Sequence, residues 1–97
     1  MQIQIITGEQ ASGKTARLRA IQAGLKAQGI DAPLITGNAL TTPFFLNHLS
    51  ERAIAGAKHF LADDCTQFQI KAVQELAARE EKSGLPHDLC VHLVREA

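Results

Sequence analysis

The segment that decides the fold reads Gly8-Glu9-Gln10-Ala11-Ser12-Gly13-Lys14-Thr15. An isoleucine-rich run over residues 2–7 precedes it and predicts a β-strand, and a helical pattern over residues 13–28 follows it. Backbone N–H groups in a tight loop between a strand and a helix can surround a phosphate, and the helix dipole adds positive potential there. Glycine at both ends lets phosphate oxygens approach the backbone closely. The spacing therefore predicts a phosphate-binding loop.

Two side chains at the end of this loop carry further chemistry. Lys14 can place its ammonium on the β- and γ-phosphates of a nucleoside triphosphate, and Thr15 can offer its hydroxyl to a Mg²⁺ that bridges them. The segment resembles the Walker A motif of P-loop NTPases, and the strand leads into it as in that family. The resemblance implies ATP and Mg²⁺ as ligands, residues 8–15 as the nucleotide-binding residues, and Lys14 as a catalytic residue. Ala11 stands where the tighter form of the motif has glycine. This difference is expected to affect the geometry of the loop more than its binding of a nucleotide.

Three further apolar runs, over residues 32–36, 58–63 and 89–94, predict strands. Strands that alternate with helical patterns predict an α/β three-layer sandwich with a four-stranded parallel sheet, built as a single domain over residues 1–97. Two strand orders fit, 2-3-4-1 and 2-3-1-4. The first run alternates polar and apolar residues like an edge strand, and the last is nearly all apolar like a central one. This difference favours 2-3-4-1, the order of the additional-strand ATPase branch.

Two more helices are expected between these strands. Thr42 followed by Pro43 predicts the N-cap and first residue of the second helix, which Gly56 should end. Thr66 and Gln69 form a capping-box pattern at the start of the third, which should end at residues 84–86. No stacking partner for a nucleobase is predicted, because each phenylalanine falls in a segment with a core pattern; these are Phe44, Phe45, Phe60 and Phe68.

Two adjacent acids end the third predicted strand. Lys58-His59-Phe60-Leu61-Ala62-Asp63-Asp64 resembles the Walker B element of the same family. The resemblance implies that Asp63 helps to hold Mg²⁺ through a bound water and that Asp64 orients the attacking water as a catalytic residue. The alternative is that both acids only end the strand and favour the helix that follows. The complete loop upstream favours the metal role for Asp63.

Arg95 follows the last predicted strand and should lie at the same edge of the sheet as the loop. The run Val91-His92-Leu93-Val94-Arg95-Glu96 resembles the strand of ATPases that ends in a polar sensor of the γ-phosphate, which implies that role for Arg95. The alternative is a charged residue near the chain end, and both interpretations stay open. ATP is favoured over GTP because the chain has no Asn-Lys-x-Asp segment to read guanine.

Composition limits the remaining possibilities. Ten basic and ten acidic residues give a net charge of zero, so the charge does not indicate a nucleic-acid surface. Without a long apolar run or a leader-like start, we expect a cytoplasmic protein that does not enter a membrane. Cys65 and Cys90 are expected to be free, buried thiols, and no metal site made only of protein ligands is predicted.

The favoured function is Mg²⁺-dependent hydrolysis of the β–γ bond of ATP. A nucleotide-binding module or switch with little catalysis is the first alternative, and a small-molecule or nucleotide kinase the second. Because the first strand should form an uncovered sheet edge, we also expect the chain to form a homo-oligomer or to bind a protein partner.

Overall fold

The computed structural model describes residues 1–7, 13–79 and 88–96. Its strands are β1 (Gln2–Ile6), β2 (Leu34–Thr36), β3 (His59–Cys65) and β4 (Cys90–Arg95). All three strand pairings are parallel, and the order across the sheet is β1-β4-β3-β2. Counted from the other edge this is 2-3-4-1, so the favoured order is confirmed and 2-3-1-4 is wrong.

Three α-helices connect and cover the strands. They are α1 (Lys14–Ala27), α2 (Thr42–Ile54) and α3 (Gln67–Ala78). Side chains of a strand alternate between the two faces of a sheet, and the core accordingly divides into two clusters. The cluster that includes α1 is formed chiefly by Ile6, Leu18, Leu25, Leu61 and Val94. The opposite cluster, which includes α2 and α3, is formed chiefly by Phe45, Leu49, Phe60, Val73, Val91 and Leu93. The architecture is therefore helix, sheet, helix, as expected.

Several predicted boundaries need correction. The N-cap of α2 is Thr41 rather than Thr42, because the Thr41 hydroxyl accepts from the Phe44 N–H at 3.4 Å. The β2 strand is only three residues long, whereas β3 continues two residues past its predicted end at Asp63. The α3 helix ends at Ala78, before the predicted end at residues 84–86, which lie outside the described residues.

The predicted capping box at the start of α3 is confirmed, and it does more than cap the helix. Gln69 is 1% exposed, and its side-chain oxygen accepts from the Thr66 N–H at 3.0 Å. Its side-chain nitrogen donates to the carbonyls of Gly37 at 2.7 Å and Leu40 at 2.9 Å. One buried side chain thus joins α3 to the turn that follows β2. Gly37 is required there, because a Cβ would lie 2.8 Å from the Gln69 Oε1 and 3.0 Å from the Cys65 Cα.

The β1 strand forms one edge of the sheet. Within the described residues its only neighbour is β4. Its residues alternate as expected, with Gln2 and Gln4 exposed, Ile3 and Ile5 half-buried and Ile6 buried. No described helix is both long and apolar enough to cross a membrane.

Candidate phosphate-binding site

The residues predicted to hold a phosphate and its metal meet where α1 begins and β3 ends. The Thr15 hydroxyl donates to the Asp63 Oδ2 at 2.9 Å, although the two residues are 48 positions apart in the sequence. Asp63 lies on the α1 side of the sheet, in register with Thr36 of β2, and is 7% exposed. Because parallel strands end at the same edge of a sheet, the fold itself brings these two side chains together.

Lys14 is the first residue of α1 and is also 7% exposed. Its Nζ donates to the carbonyl of Arg95 at 3.0 Å, at the end of β4. Burial disfavours a charged ammonium, and the positive end of the helix dipole disfavours a cation and favours an anion. The preceding residue, Gly13, has φ of 76°, a backbone conformation that glycine adopts readily. The local structure thus places a buried cation and the first N–H groups of a helix at one point.

A β-bulge shapes the acidic side of the site. The pairing of β3 with β4 shifts between Ala62 and Cys65, so that Asp64 is an additional residue in β3. Asp64 has φ of 50°, in the left-handed region that aspartate and asparagine tolerate better than most residues. Its N–H donates to the Asp63 Oδ1 at 2.9 Å. The two acids therefore differ, with Asp63 buried and Asp64 exposed at the same strand end.

These groups line a cleft of about 230 Å³. Its described lining residues are Gly13, Lys14, Thr15, Ala16, Asp63, Asp64 and Val94. The predicted residues 8–12 of the loop lie outside the described residues. Arg95 is only partly in the site. Its carbonyl accepts from Lys14, but its guanidinium contacts the Gln67 side chain at 3.4 Å.

Thr15 and Asp63 alone provide too few oxygen ligands for Mg²⁺, and a bound phosphate would have to provide others. Thr15 and Asp63 would supply one hydroxyl and one carboxylate, both hard oxygen donors. Mg²⁺ is commonly held by one or two carboxylates together with waters and substrate phosphates. The described residues contain no cluster of three or more His, Cys, Asp or Glu side chains that could hold a metal ion. These residues are therefore suited to a metal that arrives with phosphate.

A second cleft, which we call the α3 groove, was not predicted from the sequence. It has a volume of about 650 Å³ and is lined in part by Ile5, Thr7, Phe68, Lys71 and Arg95. The prediction that all four phenylalanines are core residues is wrong for two of them, since Phe44 is 66% exposed and Phe68 is 71% exposed. Both lie in the first turn of a helix. The periodicity of a sequence shows which residues share one face of a helix, but it does not show whether another element covers that face.

A row of polar side chains crosses the α1 side of the sheet, away from the cleft. The rings of His59 and His92 stack with centroids 5.7 Å apart, and His92 Nδ1 lies 2.9 Å from the Gln4 Oε1. Burial, and secondarily the neighbouring His59, lower the pKa of His92. Neutral His92 can donate from Nδ1 to Gln4 and accept at Nε2 from His59, 3.4 Å away. This row is structural.

The thiols are free, as predicted, but only Cys65 is buried, while Cys90 is half-buried. Burial, and secondarily the neighbouring carboxylates of Asp63 and Asp64, raise the pKa of the Cys65 thiol to about 12, which keeps it protonated and unreactive.

Comparison with protein-family models, with curated proteins and with solved structures finds no match to this chain. Membership of the P-loop superfamily therefore stays a prediction from the loop segment and the acidic strand.

Proposed function

We propose that this chain binds ATP together with Mg²⁺ and hydrolyses the β–γ bond. The observation that carries the proposal is the Thr15–Asp63 hydrogen bond of 2.9 Å beside buried Lys14. The carboxylate of Asp63, from a distant part of the chain, meets the Thr15 hydroxyl and the Lys14 ammonium at a helix N-terminus. This is the set of groups that a metal-bound polyphosphate requires.

Each residue has a distinct part in the proposed reaction. Lys14 binds the phosphate oxygens and stabilises the negative charge that develops during transfer. Thr15, and Asp63 through a bound water, would hold the Mg²⁺, which would neutralise charge on the phosphates. Asp64, at the mouth of the same cleft, accepts a hydrogen bond from the attacking water and aligns it. ADP and inorganic phosphate are the products.

The test measures phosphate release and ATP affinity side by side on wild type, Lys14→Ala and Asp64→Asn. Asparagine tolerates the left-handed backbone of residue 64, so Asp64→Asn removes the charge with little added strain. Lys14→Ala should weaken ATP binding at least tenfold, because charge-assisted hydrogen bonds contribute about 1.5–3 kcal/mol each. Asp64→Asn should bind ATP normally and release phosphate at least tenfold more slowly. Unchanged turnover in both variants would refute hydrolysis at this site.

One observation favours a second candidate, a nucleotide-dependent switch with little catalysis. The described lining of the cleft contains no arginine, and the guanidinium of Arg95 is directed to Gln67 on α3. An arginine that stabilises the transition state accelerates phosphoryl transfer by several orders of magnitude in this class of reaction. Strong thermal stabilisation by ADP and Mg²⁺ without measurable turnover would select the switch.

We also propose that β1 is covered by a second copy of the chain. The Gln2 N–H donates to the Leu89 carbonyl, so by alternation the N–H groups of Ile3 and Ile5 face the open edge. Edge strands usually carry a charge, a proline or a bulge that prevents pairing, and Gln2–Ile6 has none of these. Light scattering should give a dimer mass for wild type and a monomer mass for Gln2→Lys. A monomer at every concentration of wild type would contradict this proposal.

A further inference from the structure

The α3 groove lies between the first turns of α3 and the edge strand β1. Ile5 and Ile70 form apolar lining, and Phe68 adds an aromatic ring. Its volume of about 650 Å³ is in the range of small-molecule sites, roughly 300–1,000 Å³. A groove of this size with an apolar lining and an exposed ring can hold a flat organic ligand.

Phe68 is well placed to act as a stacking surface. It is 71% exposed, although the residue next to it, Gln69, is fixed by its hydrogen bonds to Thr66, Gly37 and Leu40. The backbone that carries the ring is therefore held rigidly while the ring itself remains accessible. An aromatic ring presented in this way gains free energy when a second flat ring covers it.

The groove and the phosphate-binding site lie on opposite faces of the sheet but at the same edge, where Arg95 contacts both. Thr7, which lines the groove, is the last residue before the predicted loop. Arg95 also lines the groove, and its carbonyl is the acceptor of the Lys14 ammonium. The described lining includes two cations, Lys71 and Arg95, and no acid. The groove is therefore positively charged, whereas the cleft beside Lys14 also contains the acids Asp63 and Asp64.

We propose that the α3 groove binds the nucleobase and sugar of the nucleotide, with the base stacked on Phe68. This inference rests on the proposed function, because it assigns the phosphates of the same ligand to Lys14 and Thr15. Stacking on an aromatic ring tolerates different bases, so the groove supplies affinity rather than a strict choice of base.

The chain offers a matched control for the test. Phe44 and Phe68 are both exposed and lie in the first turn of a helix, but Phe44 is not among the described lining residues of the groove. Calorimetry should measure the binding of Mg²⁺-ATP and of Mg²⁺-tripolyphosphate to wild type, Phe68→Ala and Phe44→Ala. Phe68→Ala should weaken ATP binding roughly tenfold and leave tripolyphosphate binding unchanged, because only ATP has a base to stack. Phe44→Ala should change neither.

A second variant gives a direct signal. The chain contains no tryptophan or tyrosine, so Phe68→Trp introduces a single strong fluorophore into the groove. ATP should change its emission and tripolyphosphate should not.

Four outcomes decide the proposal. Weaker ATP binding by Phe68→Ala, together with an ATP-dependent change in the emission of Phe68→Trp, supports it. Equal ATP affinity in wild type and Phe68→Ala, with no ATP-dependent change in Phe68→Trp, overturns it and leaves the phosphate site standing. A change in the mass of the protein assembly in Phe68→Ala, with ATP affinity unchanged, also overturns it and assigns the groove to a protein contact. Failure of wild type to bind either ligand overturns the proposed function itself, and this inference with it.

Discussion

Replacing Thr15 with valine tests whether the contact between α1 and β3 stabilises the protein as the structure indicates. Valine keeps the size and the β-branch of threonine and removes only the hydroxyl. That hydroxyl donates to Asp63 at 2.9 Å, and Asp63 is 7% exposed. A hydrogen bond to a charged group contributes about 1.5–3 kcal/mol, and we take the lower half of this range because Thr15 itself is half-buried. Thr15→Val should therefore lose about 1.5–2 kcal/mol, a fall of roughly 6–16 °C in Tm for a domain of this size.

The assay is thermal unfolding followed by circular dichroism, without nucleotide and with EDTA. Thr15→Ser is the control, because serine keeps the hydroxyl, and it should unfold within a few degrees of wild type. In the proposed function Thr15→Val should also lose the dependence of ATP affinity on Mg²⁺, which Thr15→Ser should keep. Equal Tm values for the valine and serine variants would refute the energetic reasoning. So would a coupling energy below about 0.5 kcal/mol in a double-mutant cycle of Thr15→Val with Asp63→Ala.

The remaining predictions concern the residues that support the site. Gln69→Leu should lower the free energy of unfolding by about 3 kcal/mol in urea titration, because it removes three hydrogen bonds, one buried and two part-buried, at about 1 kcal/mol each. Gln74→Leu, on the exposed side of the same helix, is the control and should change it by less than about 0.5 kcal/mol. Gly37→Ala should lower the free energy of unfolding by about 1–3 kcal/mol in the same titration, because the new Cβ lies 2.8 Å from the Gln69 Oε1 and 3.0 Å from the Cys65 Cα. Unchanged stability of this variant would show that the turn can shift. The pKa of His92 is lowered from 6.5 in the folded protein, so as the pH falls the unfolded chain takes up the proton before the folded protein does. The stability that neutral His92 contributes should therefore be complete above pH 6.5 and should decrease as the pH drops below that value. His92→Gln should show a shallower fall between pH 6.5 and 5 in a series of Tm measurements, and an identical slope would contradict this assignment.

The strand order and the proximity of Asp63 to Thr15 were predictable, but their direct hydrogen bond was not, because the sequence predicted a Mg²⁺ between them. An edge strand that alternates and a central strand that is fully apolar have different patterns, and β1 and β4 show these patterns clearly. The carboxyl ends of parallel strands lie at one edge of a sheet, so an acid near the end of β3 is expected close to the start of α1. The strand order was inferred from periodicity, whereas the role of Asp63 beside Thr15 also rested on the resemblance to the Walker B element.

The α3 groove and the bulge could not be predicted in this way. Periodicity shows which residues of α3 share a face, but not whether another element covers that face. Phe68 is 71% exposed although α3 packs on α2 and β4, so its side of the helix is not covered by the described residues. The bulge at Asp64 arises from the pairing of β3 with β4, a long-range contact that has no local sequence pattern. The N-cap was placed one residue too late because Thr41 and Thr42 both suit the position.

Two unusual features of the site fall together. Asp64 holds a left-handed backbone conformation, which is unfavourable for most residues with a Cβ, although aspartate tolerates it better than most. Lys14 is 7% exposed at the start of a helix, where the dipole favours an anion. The two residues lie 50 positions apart in the sequence but line the same cleft. Uncommon backbone conformations tend to be concentrated at functional sites, so the position of Asp64 in this cleft agrees with the proposed phosphate site.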